Sequence, residues 1–380
     1  MSERIPAEVF PPGEFIKEEL EAREWTQADL AEILGRPPRL VSEIINGKRA
    51  ISPETAQGLG EAFGTGAQFW MNLESAYQLA RIKHPDDGVA RKARLYSKVP
   101  VKEMIKRGWI EPSQSVDVLE KQILDFFELT HLEDEMRFCA AARQSMSSMD
   151  VTPMQCAWLF RAKKLARAVQ VSPYTPQTLE ACLEQLRGLL ESPEAVRHVP
   201  GILAEAGIRF LVLEPLPQTR IDGVCFWLNA RSPVIALSFR YDRLDWFWFT
   251  LLHEMHHVKN GDGREKPARL DTDLVGDQAL RTEEKVEVVE QQADRFAAQF
   301  LIPEGQLENF MVRVRPLYSK QRILGFAARL HIHPGIVVGQ LQRRNEIKYA
   351  HSRDMLLKVR DSVIASAVTE GWGHFPFVNL

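Results

Sequence analysis

Two histidines one helical turn apart stand in the run His253-Glu254-Met255-His256-His257. On a helix, residues i and i+4 differ in direction by about 40°. Both imidazoles can therefore reach one zinc ion, and Glu254 would lie next to a water molecule on that ion, where it could act as a base. The i+3 spacing of His256 from His253 is a poorer match, so we interpret His256 as a non-ligand.

A catalytic zinc site also needs a third protein ligand and an open fourth position. Several glutamates follow the histidines, among them Glu283, Glu284, Glu287 and Glu290. We predict Glu290 as the third ligand because Asp294 follows it at i+4 and could accept the second N–H of a ligand histidine. Glu287 shares this helix face and is the main alternative. Alternatively, Glu290 itself lies on a solvent-exposed helix face and binds no metal.

Two further side chains could contribute to such a site. His333 precedes Pro334 and Gly335 between two predicted helices, and we predict it as the catalytic donor to the oxyanion. The alternative is a loop histidine that caps a helix. Cys225 lies on a predicted strand, and the simplest reading is a buried apolar residue. Its thiolate could instead fill the open zinc position and keep the site latent.

A second chemical pattern lies near the start of the chain. A predicted helix begins at Thr26 and ends at Gly35, and another follows from Pro37 to about residue 46, as in a helix-turn-helix. Val41 and Ile44 are predicted to point inward. We predict that polar side chains on the other face and beyond the helix end contact base edges or phosphates of double-stranded DNA: Arg36, Arg39, Ser42, Glu43, Asn46, Lys48 and Arg49. The alternative is a helical hairpin with no role in DNA binding.

The periodicity of apolar residues predicts the elements that position these side chains. A helix from Leu244 to about Lys259 carries the histidine pair. Three short β-rich segments precede it and predict a small sheet: 209–213, 224–228 and 234–239. Helical spacing dominates elsewhere. The predicted fold class is therefore mainly α with a small α+β domain.

The 380 residues agree with two or three domains at about 150 residues per domain. We predict a helix-turn-helix domain at 1–84 and a helical connector or regulatory region at 85–200. The charged first part of that connector, up to residue 115, is expected to contain one helix, at Val101–Arg107. The histidine motif and the C-terminal helices belong to a predicted third domain at 201–380.

The overall composition excludes several protein classes. A balance of 51 acidic and 48 basic side chains argues against a polybasic nucleic-acid coat or an acidic tail as the whole protein. Four cysteines without a CxxC pair are no disulfide framework. The sequence shows neither a secretory signal nor an apolar segment long enough to span a membrane. We therefore expect a protein of the reducing cytoplasm that has no membrane partner.

Four short segments mark the N-terminal part: Pro12-Gly13-Glu14, Thr26-Gln27, Asn46-Gly47-Lys48-Arg49 and Phe69-Trp70. With them, residues 13–80 resemble the Xre/Cro–C1 helix-turn-helix domain of HigA-type antitoxins. The resemblance implies operator DNA as a ligand and a toxin as a possible protein partner. We also expect a homodimer, since such domains usually bind paired half-sites. Proline stands here where the family usually has serine or threonine at the start of the recognition helix.

Three segments mark the C-terminal part: 249–257, which contains the histidine pair, 290–303, which begins at Glu290, and 333–339. With them, residues from about 205 to 345 resemble the ImmA/IrrE family of zinc metallopeptidases. The resemblance implies a zincin-like fold with Zn²⁺ on His253, His257 and Glu290 and with Glu254 as the base. Members often cleave a helix-turn-helix repressor, so the implied substrate is the chain itself, a sister copy or a separate protein.

Two functions of different classes are therefore open. The first is a DNA-binding transcriptional regulator that acts as a zinc-dependent endopeptidase and controls expression by limited proteolysis. The second is a non-proteolytic antitoxin or regulator whose metal domain is structural or a sensor. Glu254 favours the first, because a structural site needs no base and has four protein ligands.

Overall fold

The structure is a computed structural model that describes residues 10–81, 87–131, 151–264, 269–272 and 288–374. It contains two compact units, Met1–Val89 and Ala90–Leu380. Within the described ranges, none of the helices combines the length and the apolar character needed to cross a lipid bilayer.

The described part of the first unit is built from helices. Five of them follow one another along the chain: α1 (Pro12–Arg23), α2 (Gln27–Ile33), α3 (Pro38–Ile45), α4 (Pro53–Phe63) and α5 (Ala67–Arg81). Their apolar faces meet in one hydrophobic cluster around Leu30, Leu59 and Trp70. Gly13 allows α1 to approach α3 closely, because a Cβ there would lie 2.2 Å from the carbonyl oxygen of Ile45.

Helices α2 and α3 form the predicted pair. The Thr26 hydroxyl accepts the Asp29 N–H at 3.2 Å, and the Asp29 carboxylate accepts the Thr26 N–H at 2.7 Å, so both groups cap the start of α2. Gly35 takes the left-handed conformation, with φ of +59°, at the turn between the helices. Val41 and Ile44 are buried, as predicted. Local capping and one apolar stripe therefore produce this pair.

The second unit contains the remaining helices and a sheet. Its first helices are α6 (Gly88–Lys98, which begins two residues before the unit boundary), α7 (Val101–Lys106), α8 (Val116–Phe127), α9 (Pro153–Ala168), α10 (Pro176–Arg187) and α11 (Val199–Glu205). After the first three strands come α12 (Leu244–Asn260), α13 (Val288–Leu301), α14 (Glu304–Val314), α15 (Lys320–Leu330), α16 (Pro334–Arg343) and α17 (Arg360–Ile364). Two short 3₁₀ helices lie at Pro193–His198 and Arg353–Met355.

The sheet has five strands in the order β4-β2-β3-β1-β5. They are β1 (Arg209–Leu213), β2 (Ile221–Trp227), β3 (Pro233–Leu237), β4 (Arg269–Thr272) and β5 (Val368–Glu370). β1 runs parallel to β3 and β5, whereas β2 is antiparallel to β3 and β4. The three predicted strands are present. The two outer strands were not predicted, because segments of three or four residues carry too little alternation to be recognised.

The separate connector predicted for 85–200 is wrong. Its helices share one hydrophobic cluster with the strands, in which Leu95, Ile123 and Trp158 pack with Val224 and Phe226. The Trp158 indole N–H also donates to the carbonyl of the β1 residue Leu213 at 3.3 Å. These helices have an apolar stripe, and one face of the sheet is apolar. Packing the helices on that face removes both apolar surfaces from water.

The start of this region differs from the prediction in one more respect. Helix α6 was missed because its segment is charged and buries only Leu95 fully.

The opposite face of the sheet packs on α12, which carries the histidine motif. Cys225, Ile235 and Leu237 of the strands belong to the same hydrophobic cluster as Phe247 and Leu251 of the helix. The helix ends as predicted at Gly261, which has a φ of +72°. The motif is thereby fixed between the sheet on one side and α13 on another.

Candidate metal centre and nucleic-acid surface

The two motif histidines lie on one face of α12 and are completely buried. Their Nε2 atoms face each other at 3.1 Å. This is the arrangement expected from the i, i+4 spacing, which directs both rings to the same point beside the helix. Burial within a packed helix fixes both imidazoles before any ligand arrives.

Glu290 approaches the same point from α13. Its Oε2 lies 3.3 Å from the Nε2 of His253, and its Oε1 lies 3.8 Å from the Nε2 of His257. Ala293 and Ala297 of α13 are fully buried and small, so the helix comes close enough to α12 for the glutamate to reach the histidines. Its predicted rivals Glu283, Glu284 and Glu287 lie outside the described residues.

The three side chains fit a metal ion. A tetrahedral zinc ion with ligand bonds of about 2.1 Å separates each pair of ligand atoms by about 3.4 Å. The two Nε2 atoms are 3.1 Å apart, and Glu290 approaches His253 to 3.3 Å with Oε2 and His257 to 3.8 Å with Oε1. Among the described residues, these three also form the group of His, Cys, Asp and Glu whose ligand atoms lie within 4.8 Å of one another. Two imidazoles and one carboxylate match the donor set of an open, catalytic site.

A carboxylate contacts the outer nitrogen of each histidine. Asp294 Oδ1 lies 2.9 Å from the Nδ1 of His253, as the sequence suggested, and Asp262 Oδ2 lies 3.0 Å from the Nδ1 of His257. Such carboxylates hold the proton on Nδ1 and leave the lone pair of Nε2 directed at the metal position. Sequence reasoning missed Asp262. The sequence feature that could have indicated Asp262 is its position directly after Gly261, the glycine that ends the histidine helix.

Glu254 points towards the sheet and is fully buried. A Cβ placed on Gly223 of β2 would lie 2.2 Å from the Glu254 Oε1 and 3.0 Å from the Cγ2 of Thr250. Glycine at position 223 therefore provides the space that the Glu254 carboxylate occupies between α12 and β2. No sequence pattern indicates this role of Gly223, because β2 and α12 come together only in the folded chain.

His333 has a different role from the predicted one. It is the N-cap of α16, where its Nδ1 accepts the Gly335 N–H at 3.1 Å. Burial lowers the pKa of this imidazole, and the nearby Glu194 carboxylate partly offsets that effect. The residue of α16 that reaches the metal centre is Arg343, which contacts Asp294 and lies about 15 Å further along the helix axis. The structure thus places His333 at the opposite end of α16 from the residue that contacts Asp294.

Cys225 is the buried apolar residue of the simpler reading. Cys225 is not part of the candidate ligand group and is buried in the hydrophobic cluster of the sheet with Trp227 and Ile235. His256 also stays outside the ligand group, as predicted. Its Nε2 pairs with the Asn260 amide at 3.0 Å, and burial lowers the pKa of its ring.

The predicted DNA-contacting side chains lie along and after α3. Five of the seven are exposed: Arg36, Arg39, Asn46, Lys48 and Arg49. The half-buried Glu43 accepts hydrogen bonds from Arg39 at 2.8 Å and from Arg49 at 2.9 Å. These two bonds, that from Arg39 first, lower the pKa of the Glu43 carboxyl. The Asn46 amide donates to the Ser42 carbonyl at 2.8 Å. This surface presents two oriented guanidinium groups at its solvent side.

Two family models match separate parts of the chain. Residues 16–70 match the family described as helix-turn-helix, and residues 204–337 match a peptidase family described as the IrrE N-terminal-like domain. The second match includes both histidines, Glu254 and Glu290.

The chain is also similar to several known proteins over part of its length. The uncharacterized HTH-type transcriptional regulator YddM of Escherichia coli (strain K12) is 33% identical over 84 residues, which are 22% of this chain and 88% of that protein. Virulence-associated protein A of Dichelobacter nodosus is 46% identical over 55 residues, 14% of this chain and 54% of that protein. The solved structure of the Pseudomonas aeruginosa antitoxin HigA with the higBA promoter is 40% identical, covers 19% of this chain and 80% of that one, and has a TM-score of 0.19.

Proposed function

Since the chain belongs to the helix-turn-helix family of transcriptional regulators and also carries an IrrE N-terminal-like peptidase-family domain, we propose that it binds operator DNA and cleaves a protein in a zinc-dependent reaction. One observation carries the peptidase part. The side chains of His253, His257 and Glu290 converge to the separations that a zinc ion requires between its ligand atoms. The buried Glu254 follows the first of these histidines.

In this proposal His253, His257 and Glu290 hold Zn²⁺. When bound, the metal polarises the scissile carbonyl and acidifies a water molecule. Glu254 removes a proton from the attacking water and transfers it to the leaving amine. Asp294 and Asp262 keep both imidazoles in the tautomer that the metal requires. Burial of Glu254 between α12 and β2 keeps this proton transfer out of bulk water.

Gly223 gives a first test of this geometry. We expect Gly223→Ala to lower the turnover number for peptide cleavage by about 10²-fold, because the added methyl group must displace the Glu254 carboxylate. The zinc content should not change. Steady-state kinetics and metal analysis of the purified variant measure both quantities.

Gly201→Ala is the matched control for this substitution. Gly201 lies in α11, and a Cβ there would meet nothing within 4 Å. This variant should keep full turnover and gain about 0.5–1 kcal/mol of stability from the helix propensity of alanine. Equal turnover of Gly223→Ala and wild type would contradict the position proposed for the base.

We propose a helix-turn-helix repressor as the substrate, either a second copy of this chain or a separate protein. The experiment mixes zinc-loaded wild type with a labelled Glu254→Gln copy, or with a separately purified repressor, and follows intact mass over time. Zinc-dependent fragments, absent after chelation, support the proposal. A wild type that holds one zinc ion per chain and cleaves none of these proteins would favour a sensor or structural metal domain.

The DNA-binding part has its own test. We expect Arg39→Ala to weaken operator binding by about 1–3 kcal/mol, since an oriented guanidinium commonly contacts guanine in the major groove. Lys48→Ala should weaken binding to all sequences and lower the salt slope by about one unit, as for a phosphate contact. Titrations with operator and non-operator duplexes at several salt concentrations measure these effects.

Lys17→Ala is the control for this pair, because Lys17 is an exposed cation on α1 and is not among the predicted DNA-contacting residues. It should bind operator like wild type. Unchanged affinity and salt slope for Arg39→Ala would show that α3 is not the recognition helix. We further propose a homodimer, in which two copies of α3 bind paired half-sites. A toxin partner stays a prediction of the antitoxin resemblance alone.

A further inference from the structure

Arg343, the last residue of α16, connects two elements of the candidate metal centre. Its Nη2 lies 2.6 Å from the Oδ2 of Asp294 on α13. Its guanidinium carbon also lies 4.0 Å from the ring centroid of Phe249, which precedes His253 by one turn on α12. The arginine therefore contacts both helices that carry the candidate zinc ligands.

The two oxygens of Asp294 have different partners. Oδ1 contacts the Nδ1 of His253 at 2.9 Å, and Oδ2 contacts Arg343. A carboxylate held at both oxygens loses the freedom to rotate away from the imidazole.

Other contacts fix the end of α16 against the start of α12. Gln342 accepts a hydrogen bond from Arg243 at 2.8 Å, and Arg243 also pairs with the buried Asp245 at 2.8 Å. Gly339 adjoins Asp245 so closely that a Cβ there would lie 2.4 Å from a carboxylate oxygen. The backbone that presents Arg343 is thus held in place independently of Asp294.

The carboxylate partner of the second histidine, Asp262, is held by other contacts. The Asp262 N–H donates to the His257 carbonyl at 2.9 Å, and the Asp262 carbonyl accepts the indole N–H of Trp227 at 2.9 Å. The carboxylate partner of His257 is therefore fixed by the adjoining turn and by β2. The partner of His253 depends on α16, a helix that contributes no ligand.

We propose that Arg343 is a positioning residue for His253, which orients this candidate metal ligand through Asp294. The inference rests on the proposed metal site and extends it to α16. It predicts that a change at the end of α16 alters zinc binding through one histidine and leaves the other in place.

Arg343→Met, which keeps much of the apolar stem, tests this directly. We expect it to weaken zinc binding by about 10- to 100-fold, as is typical for the loss of a group that orients a metal ligand. Arg343→Lys should restore part of the affinity, because it keeps the charge and loses the two-pronged geometry of the guanidinium. Competition with a chromophoric chelator measures affinity for zinc alone, and the visible spectrum of the Co²⁺-substituted protein reports ligand geometry.

The neighbouring Arg344 supplies a matched control. It lies 3.8 Å from Glu304, which is not part of the candidate metal centre, so Arg344→Met should bind zinc like wild type. The effects of Arg343→Met and Asp294→Asn should also be non-additive, since both act through one contact. A purely structural role would lower the melting temperature of the metal-free protein and leave the cobalt spectrum unchanged.

The outcomes separate this inference from the proposed function. A folded Arg343→Met chain with wild-type zinc affinity and an unaltered cobalt spectrum would overturn the role of Arg343. A wild type that binds zinc and cleaves no protein would refute the peptidase and still permit the affinity comparison. A wild type that binds no zinc would overturn both.

Discussion

Glu254→Gln is expected to reduce peptide cleavage by about 10³-fold while one zinc ion stays bound per chain. A general base in this position typically contributes about 10²–10⁴-fold to the rate, and an amide cannot accept the proton. The substitution nearly preserves the shape of the side chain, so its packing against Gly223 should persist. Turnover measurements and metal analysis on the same preparation distinguish the loss of the base from the loss of the metal.

His333→Ala is the control for this prediction. Because His333 caps α16, its replacement should cost about 0.5–1 kcal/mol of stability and leave the turnover unchanged. A Glu254→Gln variant that cleaves as fast as wild type would contradict the role of Glu254 as the base. A large loss of turnover in a fully folded, zinc-loaded His333→Ala chain would restore the catalytic role that the sequence first suggested.

His257→Ala should lose zinc. Structural zinc sites bind with about 10–16 kcal/mol over four ligands, so one ligand contributes about 3 kcal/mol, or more than about 10²-fold in affinity. Zinc at 1,000 times its dissociation constant stabilises a folded protein by about 4 kcal/mol. We therefore expect zinc to raise the melting temperature of wild type and to have little effect on His257→Ala.

The adjacent His256 provides the control for this second prediction. His256→Ala removes a histidine of the same helix whose Nε2 pairs with Asn260. It should retain zinc binding and the zinc-dependent rise in melting temperature. Equal zinc affinity of His257→Ala and wild type, measured by chelator competition, would show that this histidine is not a ligand.

The sequence predicted the parts of the centre that depend on local rules. The spacing of His253 and His257 requires a helix, and Gly261 marks its end. Glu290 and Asp294 could be assigned because they share one face of a later helix. The helix-turn-helix was equally local, since the capping Thr26 and the apolar stripe of α3 lie within a few turns of each other.

The parts that were missed depend on contacts between distant segments. Arg343 and Asp294 are 49 positions apart along the chain. Gly223 receives its role only when β2 packs beside the histidine helix. The helices predicted as a connector carried an apolar stripe, and no local rule could identify the sheet as its partner. His333 took the alternative role, as a helix cap, because its place in a turn between two helices did not reveal the direction of its side chain.

The central claim is that one zinc ion at His253, His257 and Glu290 enables the chain to cleave a protein. Its most direct test is reconstitution of the metal-free full chain with increasing amounts of zinc, while cleavage of a labelled Glu254→Gln copy and of a helix-turn-helix repressor is followed by mass spectrometry. We expect cleavage of at least one of these two substrates to rise with zinc and to reach a plateau at one ion per chain. No cleavage of either at one bound zinc ion per chain, or equal cleavage without zinc, would contradict it.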